Sequence, residues 1–188
     1  MRLAGLDLSG QSADGAELLE AALADVELTG ASLRGASLRD ARVEGGSWAN
    51  ARADGITLRR VELLDMRLTG IELANARLED VTVRGCRLDL ASLRVARLVR
   101  VRFESCAMAE IDLQDAALES VEMVDCDLTG ARLASAAFAN CTLRRCRLAA
   151  IVNPERLAGA RMPISDALAA VETLAAAAGI GLLPEGDA

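Results

Sequence analysis

The chain has 188 residues, 52% of them apolar, with no His, no Tyr and a formal net charge of −7 from 28 acids against 21 basic residues, every one Arg. This length suits a single domain, and the acidity makes the chain a poor direct ligand for nucleic acid. No apolar run approaches the ~18 residues of a membrane span, and two of the commonest catalytic side chains are missing.

From Leu3 to Leu148 every fifth residue is apolar. Leu8, Leu18, Leu23, Leu28, Leu33, Leu38, Val43, Trp48, Leu58 and Leu63 lead to Phe138, Leu143 and Leu148, and only Ala13 and Ala53 are small. A second column two residues earlier is small and apolar (Ala16, Ala21, Val26, Ala31, Ala36, Ala41, Ala51, Ile56, Val61), with Gln11 and Gly46 as lapses. Period five belongs to neither an α-helix nor a flat strand, and a strict internal repeat reads as a solenoid. A longer period lies over it. Leu8-Ser9-Gly10 returns as Leu28-Thr29-Gly30, Leu68-Thr69-Gly70 and Leu128-Thr129-Gly130, while Cys86, Cys106, Cys126 and Cys146 recur every 20 residues.

Four fives therefore make one turn of a square coil, each five pointing two side chains in and three out. Ten of the 15 glycines fall two residues after the central apolar one, where a corner of positive φ is expected. Trp48 is oversized for the interior, and Gly46 and Ala53 read as compensation for its volume. The expected fold is an all-β solenoid over residues 1–152, with about seven to eight coils of 20 residues. At ~4.8 Å per coil it is roughly 36 Å long.

The runs Ala31-Ser-Leu-Arg-Gly35, Ala76-Arg-Leu-Glu-Asp80 and Ala131-Arg-Leu-Ala-Ser135 resemble the A-(D/N)-L-x-x unit of pentapeptide-repeat proteins. The resemblance covers about residues 1–150 and implies a right-handed quadrilateral β-helix. The handedness comes from the resemblance and not from the periodicity. Leu stands for Phe at most central sites, and Arg or Glu often replaces the Asp or Asn before it.

Asn153 is polar at a central position, the phase slips by one at Leu157 and Met162, and Pro154 cannot donate to a ladder. Sheet pairing is therefore expected to stop at Asn153-Pro154. Residues 153–188 read as a C-terminal α-helical capping and dimerisation segment, with a helix at about 165–178. Ser165 is its candidate N-cap, Asp166 suits its first turn and Gly179 its C′ position. Ile164, Leu168, Val171, Leu174, Ala175 and Ala178 share one apolar face, followed by Ile180-Gly-Leu-Leu-Pro184 and an acidic tail. One coil end offers little for so much apolar surface to cover. Leu168, Val171, Leu174, Ile180, Leu182 and Leu183 are thus the candidate interface of a homodimer, with a monomeric cap as the other reading. Val152-Asn-Pro154, Leu157-Ala-Gly-Ala-Arg161 and the Ala-rich helix resemble the C-terminal module of mycobacterial fluoroquinolone-resistance members of the family, which implies a dimer joined at this end.

All five cysteines sit in the small inward column without CxxC spacing, so they read as inert core and not as a metal or disulfide site. Carboxylates on a convex repetitive surface lack the dry pocket that shifts a pKa. No catalytic, cofactor or metal site is expected, and the chain reads as a non-enzyme. The repeat starts at once with no signal-peptide pattern, which suggests the cytoplasm.

Charge is banded. Residues 1–30 hold Asp7, Asp14, Glu17, Glu20, Asp25 and Glu27 against Arg2. Residues 84–102 hold Arg84, Arg87, Arg94, Arg97, Arg100 and Arg102 against Asp89. Residues 111–128 hold Asp112, Asp115, Glu119, Glu122, Asp125 and Asp127 with no Arg, and 131–161 return to positive. Quinolone-resistance members are duplex mimics that enter the DNA-binding saddle of a topoisomerase. The resemblance therefore implies modulation of DNA gyrase or topoisomerase IV, or its protection from inhibitors, with the 111–128 ring as candidate contact surface. A net of −7 over roughly 36 Å is about threefold sparser than duplex DNA. The bands suit Arg–carboxylate ladders between coils equally well. Two functions stay open: a DNA-mimicking topoisomerase regulator, and a non-catalytic scaffold for an unrelated protein.

Overall fold

The computed structural model describes residues 1–183, so Pro184 and the acidic tail lie outside the described residues. It is a parallel β-solenoid of about eight turns followed by a short helical part. Residue n lies beside residue n+20. Leu38, Leu58, Leu78, Leu98, Leu118 and Phe138 form one inward column, and Val43, Leu63, Val83, Phe103, Met123 and Leu143 another. Strands Ser37–Glu44, Thr57–Leu64, Arg77–Arg84 and Arg97–Glu104 bend through a corner and serve two adjacent sides. The other two sides carry one bridge per coil, as in Ser32↔Arg52↔Glu72↔Ser92↔Asp112 and Ser47↔Arg67↔Arg87↔Ala107↔Asp127.

The corners explain the glycines. Every fifth residue from Gly5 to Ala150 has positive φ. On the bridged sides a turn bond closes each corner, such as Ala51 N–H to Trp48 O and Ile71 N–H to Leu68 O, both 3.1 Å. Positive φ at the third residue of such a turn is the type II pattern, which favours Gly or Asn. Gly10, Gly15, Gly30, Gly35, Asn50, Gly55, Gly70, Asn75 and Gly130 comply. Leu90 (φ 60), Val95 (φ 58), Glu110 (φ 55), Asp115 (φ 58) and Ser135 (φ 57) do not, and Leu90 and Val95 stand more than half exposed.

The two inward columns are buried from the second coil onward. Cys86, Cys106 and Cys126 are buried in their column and Cys146 is half-buried at its end, with no disulfide among the five cysteines. Their thiols donate back to carbonyls of the preceding coil, Cys106 to Val83 O and Cys146 to Met123 O, both 3.4 Å. Trp48 is buried with its indole N–H lacking an acceptor among the described residues, beside an apolar void of about 20 Å³ lined by Leu68, Leu88 and Phe103. The small size of Gly46 has another cause than Trp48 volume. Gly46 has φ 75, and a Cβ there would overlap the carbonyl and amide of Val26.

Sheet pairing does not stop at Asn153-Pro154. A 3₁₀ turn at Pro154–Leu157 absorbs the proline, and Ala160–Arg161 rejoins the ladder beside Cys141 and Thr142, 19 residues back instead of 20. Gly159 makes this possible, since a Cβ there would strike Phe138 O. The expected single helix is two: α1 (Ile164–Ala169) and α2 (Val171–Ala177), broken at Ala170. Pro163, not Ser165, precedes α1, and the Asp166 carboxylate accepts from Arg145 N–H at 2.6 Å. The Thr173 hydroxyl donates to Leu148 O at 2.7 Å and pins α2 to the last coil. Gly179, with φ 70, ends α2: its N–H reaches Ala176 O and that of Ile180 reaches Ala175 O, the Schellman arrangement.

A left-handed L-residue costs about 1–2 kcal/mol and a glycine's extra chain entropy about 0.5–1. Val95→Gly is therefore expected to stabilise the rod by about 0.5–1 kcal/mol, whereas Gly46→Ala destabilises it by about 2–4 kcal/mol. Thermal unfolding of the two variants checks both signs.

Candidate interaction surfaces

Outward residues also stack at n and n+20, so the charges of one coil meet those of the next. Arg60 forks onto Asp40 (Nε–Oδ1 2.5 Å, Nη2–Oδ2 2.6 Å), and Arg100 grips Asp80 at 2.6 Å and Glu79 at 2.8 Å. Arg42 lies between Glu44 and Glu62, both at 2.9 Å. Such exposed pairs each stabilise little, but they cancel charge over one coil spacing.

The acidic ring at 111–128 is largely consumed this way. Asp112 meets Arg94 at 3.6 Å, Glu119 meets Arg97 at 3.5 Å, and Glu122, Asp125 and Asp127 meet Arg102, Arg145 and Arg147 at 2.5 Å each. Asp115, at a corner with φ 58, is the one ring member without an ion pair among the described residues. The structure thus assembles the ring but flanks it with arginines from both neighbouring coils.

The N-terminal acids differ. Asp7 accepts the backbone N–H of Ser9, and Asp14 accepts the Ser32 hydroxyl and Arg34 N–H. These hydrogen bonds hold both carboxyls below the usual range. Neither they nor Glu17, Glu20, Asp25 and Glu27 form an ion pair with an arginine side chain among the described residues, although the Arg34 charge also acts on Asp14. The longest reach of uncompensated negative charge lies in the first two coils.

Hydrogen bonding by Arg60, Arg100 and Arg145 lowers the carboxyls of Asp40, Asp80 and Asp125. In the interior, burial pushes the Cys86 thiol up to about 11. Cys126 is pushed up to about 11, first by its bond with Cys106 and then by burial, and Cys146 rises for the same kinds of reason. These three remain thiols at neutral pH. Among the described residues no group of three His, Cys, Asp or Glu could hold a metal ion, and no helix is long and apolar enough to cross a membrane.

The C-terminal segment carries the other notable surface. Leu168 is 70% and Leu183 83% exposed, and Val171, Ile180 and Leu182 are about half exposed. Leu174 instead turns onto the solenoid core. Ile164, absent from the sequence-based interface set, is 81% exposed on α1, the helix that carries Leu168. Its helical spacing with Leu168 was the signal for including it.

Two family descriptions match the chain: "Pentapeptide repeats (8 copies)" over residues 2–40 and "Pentapeptide repeat region" over residues 66–133. No curated protein matches. Similar solved structures include HetL, a pentapeptide repeat protein involved in heterocyst differentiation regulation in the cyanobacterium Nostoc sp. strain PCC 7120. It is 19% identical, with 86% of each chain covered and a TM-score of 0.43. Full-length QnrB1, a plasmid-mediated fluoroquinolone resistance protein, is 14% identical, with 93% of this chain and 99% of that one covered and a TM-score of 0.43. Rfr23 from the cyanobacterium Cyanothece 51142 is 16% identical, covering 84% and 88%, with a TM-score of 0.35.

Because these aspartates have depressed folded pKa values, their contribution is present above the ordinary carboxyl range and lost as pH falls through it. The melting temperature is expected to stay flat from about pH 8 to 5 and to fall below about pH 4. The triple variant Asp40→Asn, Asp80→Asn, Asp125→Asn should show a shallower acid limb. An identical acid limb would contradict the ladders.

Proposed function

We propose that this chain, which belongs to the pentapeptide-repeat family, is a non-catalytic protein-interaction rod that presents carboxylates to the cationic DNA-binding surface of DNA gyrase or topoisomerase IV. The observation that carries this reading is the run of carboxylates in the first two coils that form no ion pair with an arginine among the described residues: Asp7, Asp14, Glu17, Glu20, Asp25 and Glu27. A surface built to bind duplex phosphates rewards fixed, uncompensated negative charge on a rod. In the 111–128 ring, Asp115 keeps that property and its five neighbours spend theirs on arginines. The primary contact is accordingly the N-terminal coils, with Asp115 as a secondary one. Two such rods joined at their C-terminal ends through Leu168, Val171, Ile180, Leu182 and Leu183, with Leu174 beneath them, would place an acidic tip at each far end. The interior is filled with side chains, which supports a surface role over catalysis.

A gyrase supercoiling assay tests the first claim. Wild type should inhibit at micromolar concentration, and less so in high salt. Reversing Asp7, Glu17, Glu20 and Glu27 to Arg should weaken inhibition about tenfold or more, while Asp115→Arg has a smaller effect. Undiminished supercoiling with wild type would leave the other reading, a scaffold for an unrelated protein. Light scattering tests the dimer. Wild type should have twice the chain mass and Leu168→Asp with Ile180→Asp the single mass, both exposed positions that spare the Leu174 contact. A monomeric wild type would refute it.

A further inference from the structure

The slip that brings Ala160–Arg161 back to the ladder at a spacing of 19 has a chemical result. It sets Arg161, instead of Met162, beside Thr142. A cleft of about 720 Å³ opens there between the last coil and the C-terminal segment, lined by Glu122, Thr142, Arg144, Arg145, Arg161, Ser165 and Asp166. The charges in it are not equivalent. Glu122 is held by Arg102 at 2.5 Å, and Arg145 by Asp125 at 2.5 and 2.7 Å. Asp166 accepts the backbone N–H of Arg145 at 2.6 Å and lies 3.4 Å from the Ser165 hydroxyl. Arg144 and Arg161 have no carboxylate partner among the described residues, as is also true of arginines elsewhere on the rod such as Arg52, Arg67 and Arg132; here the two share one cleft.

We propose that this cleft is a binding site for a phosphate dianion, free or as a small phosphate ester. Two unpartnered guanidinium groups call for a ligand of charge near −2, which a phosphate monoester approaches at about −1.5 to −2 at neutral pH. Each planar guanidinium can fork onto two oxygens of one tetrahedral group. The Thr142 hydroxyl adds a donor from the coil, and the Ser165 hydroxyl adds one from α1 by turning away from its long 3.4 Å bond to Asp166. The volume lies within the roughly 300–1,000 Å³ of small-ligand sites. Because Thr142 and Arg144 belong to the solenoid while Arg161 and Ser165 belong to the C-terminal segment, the bound group ties one to the other. This site is independent of any contact with a topoisomerase.

Titration calorimetry at low ionic strength, with inorganic phosphate, AMP and citrate as probes, tests the site. Saturable binding of phosphate or AMP at millimolar concentration or below is expected. Tighter AMP binding assigns the ester, and equal binding assigns the inorganic ion. Arg144→Ala should weaken binding at least tenfold and Arg144→Ala with Arg161→Ala should abolish it. Arg132→Ala, an arginine outside the cleft, should leave it unchanged. Phosphate should also slow amide exchange across residues 160–169 in wild type and not in the double variant. No saturable binding by wild type, equal binding by the double variant, or citrate bound as tightly as phosphate would overturn the proposal.

Discussion

A left-handed residue at every fifth position turns this chain through one corner of a square, thirty times in succession without a break. Everything else follows from the regularity of that turn. Four corners bring the backbone back over itself after 20 residues, so carbonyls and amides of successive coils pair in parallel. The backbone strain at non-glycine corners such as Asn50, Leu90 and Asp125 is offset because the corner N–H is itself a ladder donor, as Asn50 N–H is to Thr69 O at 2.9 Å. Corner side chains then stack, and their identities are coupled. In the column Gly5, Asp25, Gly45, Asp65, Gly85, each aspartate leans over the glycine of the following coil, where a Cβ would meet its carboxylate. In the neighbouring column the aspartate meets an arginine, as Asp40 meets Arg60.

The same stacking governs charge. A ring of acids can remain acidic in effect only if the coils above and below leave it alone. The arginine-rich coil at 84–102 and the arginines at 145 and 147 do not leave the 111–128 ring alone. Banding along the sequence is therefore how a solenoid neutralises itself. Function has to be sought among the charges that the ladders leave over, which include those of the first two coils, Asp115, and the two arginines of the C-terminal cleft.

Architecture was legible because the repeat reports it directly, through side-chain size at two inward positions and glycine at the third. The cysteine interval of 20 stated the stacking before any coordinate did, and the column from Cys86 to Cys146 stands as that interval implies. Pairs such as Arg102 with Glu122 and Asp127 with Arg147 were equally readable once the period was known. Other features were hidden for physical reasons. Gly46 answers a backbone approach by Val26, which no side-chain pattern encodes. The break at Ala170 sits inside an alanine-rich run without Gly or Pro, and its two halves are held by separate long-range contacts, Asp166 with Arg145 N–H and Thr173 with Leu148 O. The slip to 19 was visible at Leu157 and Met162. Its effect on Arg161, which comes to lie beside Thr142, required knowing that the ladder resumes beyond the proline.

Removing one whole turn tests the account most directly, because stacking by 20 makes coils interchangeable units. Deleting residues 101–120 should give a shorter rod with the same circular dichroism per residue and a cooperative melt. Deleting only residues 101–105 should shift every later column by one side and abolish both. Equal behaviour of the two deletions would contradict it.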